Sequence, residues 1–206
     1  MAEVLITLGI IGVVAALTLP SLIQKYQDQV LENQLKKMYS TLSQGIQKAM
    51  ADDGVSNFGD TELFQACNQW GKDSDTCTQM VKKYFNVVAV KTDAREYYSS
   101  VIQCKDIDGK KVCSRDKSKR ELFWYLGRYA TRKRYVLGDG SEFTFVGHIF
   151  DNGDCSVMID IDTNGEKGPN IEGLDTFGLY VDRNSRFGGR DWLITAIQKN
   201  NWKFPW

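Results

Sequence analysis

Histidine is nearly missing from this sequence, with His148 the only one. That excludes metal centres built on several imidazoles and leaves a single ring for acid–base work near neutral pH. A charge excess is missing too: 26 Lys and Arg stand against 26 Asp and Glu, so the balance points neither to nucleic acid nor to a solvating acidic tail. The basic run at 128–134 reads as a solvated face or a helix end, and no nucleic-acid partner is expected. Cys-x-x-Cys spacing does not occur, which removes the usual zinc clasp. A glycine-rich phosphate loop and a serine nucleophile motif are also absent. His148 and Cys155 are separated by the turn-forming Asp151-Asn152-Gly153, and nothing beside them marks an activated thiolate. The chain reads as non-enzymatic. Proline is scarce, three against ten phenylalanines, nine tyrosines and five tryptophans, the composition of a folded chain rather than a disordered one. Its 206 residues leave room for one globular domain beyond any anchor.

Charge vanishes altogether from positions 4–23, where Thr7, Thr18 and Ser21 are the only polar side chains and a helix lets each bond back to its own carbonyls. Twenty residues at about 1.5 Å each cover the ~30 Å hydrocarbon core of a bilayer. A soluble core helix rarely runs so far without an ion, and a cleaved signal wants a basic start and a shorter apolar run, so the segment predicts a helix spanning a lipid bilayer. Beyond it Leu31, Leu35, Met38, Leu42, Ile46 and Ala49 recur at intervals of three and four, one apolar stripe on an amphipathic helix. A single helix is thus predicted from about Glu3 to Ala51, ~70 Å long. Asp52-Asp53-Gly54 supplies its stop, and Pro20 removes one donor and bends or opens it. Residues 1–24 form the apolar half; residues 25–206 hold the amphipathic half and a globular head.

The stretch AEVLITLGIIGVVAALTLPSLI closely resembles the N-terminal segment of type IV pilins and of the pseudopilins of type II secretion systems. Glu3 opens the run, Gly9 and Gly12 lie within it, and Pro20 stands seventeen residues after Glu3. The resemblance implies a single-pass subunit of the bacterial cytoplasmic membrane, its head extracytoplasmic, that leaves the bilayer to stack its helix into a type IV pilus or a type II secretion filament. It further implies as partners copies of itself or other pilin-like subunits, the inner-membrane assembly platform and a prepilin peptidase. In that family the glutamate matching Glu3 pairs with the N-terminal amine of a neighbouring subunit and sets the register. A carboxylate alone in hydrocarbon is costly, and one charge pair relieves it. The family's leader and its cleavage-site glycine do not precede Met1-Ala2-Glu3, so Met1 is expected to be an internal methionine with the leader upstream. The alternative is an anchored extracytoplasmic binding module that does not polymerise and for which Glu3 has no role.

The remainder predicts an α+β head. Short helices at 61–70 and 76–84 take Asp60 and Asp75 as candidate caps, and a strand follows at 84–90. One hairpin turns at Asp108-Gly109, a second around Gly138-Asp139-Gly140, and CSVMIDID and TFGLYV give two more strands. The fold class is therefore α+β, a long N-terminal helix packed on an antiparallel sheet. The tail GGRDWLITAIQKNNWKFPW predicts a final helix and an aromatic end packed on the sheet or against a neighbouring subunit. In an exported head, Cys67 with Cys77 would tie the two short helices and Cys104 with Cys113 would staple the first hairpin, leaving Cys155 over; the other reading is five reduced, partly buried thiols. The loop DIDTNGEKGPNIEGLDTF at 160–177 opens like a calcium loop, with Asp160, Asp162 and Asn164 alternating and Gly165 permitting the turn. Ile171 stands where an EF-hand places its bidentate glutamate, so the loop is not an EF-hand. Some major pseudopilins bind calcium in a head loop, and this stretch with Asp175 resembles it. Calcium at Asp160, Asp162, Asn164 and Asp175 is the cofactor expectation; against it stands a tight loop whose carboxylates cap backbone donors.

Overall fold

The computed structural model describes residues 2–68, 74–94, 97, 105–107, 110–112, 132–149, 155–168, 170–189 and 197–203. Helix α1 runs unbroken over Ala2–Asp53, through Pro20. Its end has a clear cause: Gly54 takes a left-handed φ of 66°, its N–H donates to Ala51 O at 3.3 Å and the Val55 N–H to Met50 O at 3.0 Å. These are the two reversed bonds of a Schellman stop, which only glycine makes cheaply. The predicted stripe is the buried side of the helix: Leu31, Leu35, Met38, Leu42, Ile46 and Ala49 all lie in the core.

After α1 come α2, Glu62–Cys67, and α3, Asp75–Tyr84. Their caps are hydroxyls rather than the expected Asp60 and Asp75. Thr61 accepts from the Phe64 N–H and Ser74 from the Cys77 N–H; Asp75 follows its cap as a first-turn anion and Glu62 takes that place in α2, where the helix dipole favours them, while Asp60 sits ahead of the Thr61 cap. Cys67 and Cys77 form a disulfide that ties the two helices, as predicted. Cys104 and Cys113 lie outside the described residues, as does the side chain of Cys155.

The sheet contains seven antiparallel strands among the described residues. They are β1 (Val87–Lys91), β4 (Arg134–Leu137), β5 (Glu142–Phe143), β6 (Val146–Ile149), β7 (Cys155–Asp162), β8 (Thr176–Asp182) and β9 (Phe187–Gly189). The order is β1-β4-β5-β7-β8-β9, with β6 beside β5 on the same edge of β7. A separate hairpin pairs β2 (Lys105–Ile107) with β3 (Lys110–Val112), Ile107 facing Lys110, the register a turn at 108–109 requires; those two residues are outside the described set. Strand alternation sorts the side chains. Tyr135, Leu137, Phe143, Val157, Ile159, Ile161, Phe177, Leu179 and Val181 join the stripe of α1 in one core. The tail seats on α1 as well. Trp202 meets Tyr39 edge-on at 4.8 Å and Phe187 meets Tyr39 at 4.9 Å, while Trp192 and Trp206 lie outside the described residues.

Candidate functional site

Two regions carry chemistry beyond the core. The first is the leading half of α1. Val4, Ile6, Leu8, Ile10, Leu17 and Leu22 are each at least 60% exposed, so among the described residues these side chains do not pack into the head. The helix is long and apolar enough to cross a membrane. Thr18 Oγ1 donates to Val14 O and Ser21 Oγ to Thr18 O, both at 2.9 Å, which hides two hydroxyls as hydrocarbon demands. Tyr26, exposed, follows just past the apolar run, the position where an aromatic ring with a polar tip meets headgroups. Glu3 stands on the first turn, its side chain outside the described set.

The second region is the outer face of the sheet. The basic run expected to be solvated is partly interior: Arg134 is fully buried and Arg132 nearly so. On a strand rather than a helix end, alternation places Arg134 among acids contributed by neighbouring segments. Its guanidinium grips Asp93 in a fork, Nε to Oδ1 at 3.0 Å and Nη2 to Oδ2 at 2.9 Å. It also donates to Glu142 and, at 3.2 Å, to Glu166, and stacks on the Tyr97 ring at 3.8 Å. Lys91 bridges the same two glutamates at 2.9 and 2.7 Å. Burial works against the Arg134 cation, but these acids outweigh it and hold its pKa up. Arg132 Nη1 donates to Asp160 Oδ2 at 2.8 Å. This replaces the cation expected at Asp160 with a guanidinium.

The loop from β7 to β8 hangs on this face. Asp162 Oδ1 accepts from the backbone N–H groups of Asn164 at 3.1 Å and Gly165 at 2.6 Å, and Oδ2 accepts from the Tyr97 hydroxyl. Asp175 closes the other end, taking the N–H groups of Asn170 at 2.7 Å and Ile171 at 2.6 Å. Asn164 Nδ2 donates to Gly168 O at 2.7 Å. Thus Asp162, Asn164 and Asp175 converge on one loop while Asp160 is held apart, and both aspartates cap backbone donors as the second reading of the loop anticipated. Burial pushes Asp162 up to about 7, reinforced by the Asp175 charge and opposed by the Tyr97 and backbone donors. Burial likewise raises Asp175. Among the described residues no three His, Cys, Asp or Glu side chains are grouped to hold a metal. Yet Thr163 Oγ1, Asn164 Oδ1, Asn170 Oδ1 and Thr176 Oγ1 are all buried here without a hydrogen-bond partner. A hard cation fits that chemistry, through the two aspartates and the two amide oxygens. Sequence reasoning missed Arg134, Glu142, Lys91, Asp93 and Tyr97; alternation marked the faces, but pairings across non-adjacent segments left no local signal.

A family described only as one of unknown function, DUF6613, matches residues 21–154. The match begins just after Pro20 and ends before β7, so it takes in only the last three residues of the apolar run and none of the acidic loop. No curated protein and no solved structure matches the chain.

Proposed function

From a chain that belongs to DUF6613, a family of unknown function, we propose a pilin-like or pseudopilin subunit that is held in the membrane by the first half of α1 and polymerises by stacking those helices into a filament. One observation carries the reading. A single 52-residue helix has its leading half bare and apolar and its trailing half seated by one stripe on an antiparallel head. Such a half-helix demands an apolar partner, and lipid before assembly and neighbouring helices after it both meet the demand. The Cys67–Cys77 disulfide supports an extracytoplasmic head. The loop at 162–175 is proposed to take calcium, a structural cation that would relieve its two buried carboxylates.

The test expresses the gene with its native upstream region, shears the cells and determines the N-terminus of the subunit in the sheared and membrane fractions by mass spectrometry. A processed, methylated N-terminus upstream of Met1 in the sheared fraction is expected. Glu3→Ala should leave membrane levels unchanged and empty the sheared fraction. A Glu3→Ala protein that still appears in sheared filaments, or a wild-type protein confined to the membrane, would overturn polymerisation and leave an anchored module.

A further inference from the structure

The flank of α1 beside the tail carries exposed lysines. Lys25 and Lys36 lie eleven residues apart, about three full turns, and Tyr39 follows one turn later, so all three share a side of the helix. Trp202 rests on Tyr39 at 4.8 Å, which seats on this part of α1 the tail segment that carries Lys199 and Lys203. All four lysines are exposed, and none makes an ion pair among the described residues. The acids of this flank, Asp28 and Glu32, are half-buried and already have partners. Asn201 and Trp202 both take left-handed φ values, 56° and 63°. That is costly backbone for a tryptophan, and the half-exposed indole it orients is seated against Tyr39.

Pro20 stands at the edge of the apolar run, and the bend it favours has a direction. The ring crowds the carbonyl one turn back and opens the helix on its own side, so the helix closes on the opposite side. At about 100° per residue, Lys25 lies roughly 140° and Lys36 roughly 160° round from Pro20, both on the closing side. In a straight helix upright in the membrane, Lys36 stands thirteen residues, ~20 Å, beyond Ile23, outside the ~8–10 Å reach of screened charge. Bent at Pro20, the same flank comes down on the bilayer.

We propose that this flank is a landing face for anionic phospholipid headgroups, onto which Lys25, Lys36, Lys199, Lys203 and Trp202 settle when α1 bends at Pro20. The proposal rests on the reading that positions 4–23 span the membrane. Each lysine near an anionic surface contributes attraction, and an indole prefers the interface.

The test reconstitutes the full chain into phosphatidylcholine vesicles, with or without phosphatidylglycerol, carrying a headgroup nitroxide that quenches nearby tryptophan. Quenching should be severalfold stronger with phosphatidylglycerol and fall back in high salt. It should return to the phosphatidylcholine level in the triple variant Lys36→Glu, Lys199→Glu, Lys203→Glu, and in Pro20→Ala. Equal quenching in the two lipids, or an unaltered triple variant, would overturn the landing face, and quenching that persists in Pro20→Ala would overturn the hinge. Flotation separates this from the anchor: a chain that floats with neither vesicle would overturn the membrane reading itself.

Discussion

Asp162 is asked to be two things, a cap for its loop and a buried carboxylate facing another. In metal-free buffer its folded pKa of about 7 lies well above the ordinary value of 3.8. The folded state therefore keeps a proton that the unfolded chain has lost, and this group's contribution to stability declines as pH rises from about 4 to 7. Asp93, Asp139 and Glu166 work the other way. Arg134 holds Asp93 down, Lys91 and Arg134 hold Glu166 down, and Lys37 with Ser141 outweighs burial to bring Asp139 to about 2. Their contribution is lost only as pH falls through those depressed values. Thermal unfolding in chelator should thus show a midpoint that drops from pH 5 to pH 8, a drop that Asp162→Asn shrinks to the share of Asp175 while the backbone cap bonds to Oδ1 stay. The effect is on the order of 2–4 kcal/mol. Calcium should raise the wild-type midpoint more at pH 8 than at pH 5, because the ligand must be deprotonated, and Asp175→Asn should abolish the rise; no calcium response at either pH would leave the loop a purely capped one. At this scale the sequence was legible where partners are close in the chain, as at Asp162-Asn164-Gly165. Arg134 was illegible because Asp93, Glu142 and Glu166 reach it from three separate segments.

At the scale of the element, α1 was readable almost residue for residue, because a 3.6-residue period acts within a few turns and Gly54 marks its own stop. What the period could not show is how closely other parts approach. Gly45 faces the core, and a Cβ there would lie 2.2 Å from the Phe85 ring. Gly45→Ala gains helix propensity yet must displace that ring, so a net loss of about 1–3 kcal/mol is expected in a denaturant titration. Leu42→Ala, a deletion at a fully buried site, should cost about 2–5 kcal/mol, while the exposed Gln47→Ala should stay within about 0.5 kcal/mol. The two longest strands, β7 and β8, were equally plain, because apolar side chains alternate along CSVMIDID and fill TFGLYV. Strand β9, Phe-Gly-Gly, escaped because short glycine-rich strands carry neither propensity nor alternation, and β1 starts three residues late because α3 claims Tyr84.

Across the whole molecule, the head is tied together by the sheet, by α1 and by one described disulfide. The bridge closes a loop of ten residues between α2 and α3, and its cysteines are buried. The double variant Cys67→Ser, Cys77→Ser should unfold with about 2–3 kcal/mol less stability, and wild type should resist mild reductant in the folded state but lose the bridge once denatured. A molecule whose membrane half and head half share one continuous helix also has a mechanical character. Load applied to the head travels down α1 through backbone hydrogen bonds, but Pro20 offers no N–H to the Ala16 carbonyl, so one rung is missing where the apolar run nears its end. Under tension the rod should yield first at that rung, lengthening at the boundary while the Schellman stop and the packed stripe keep the head end intact.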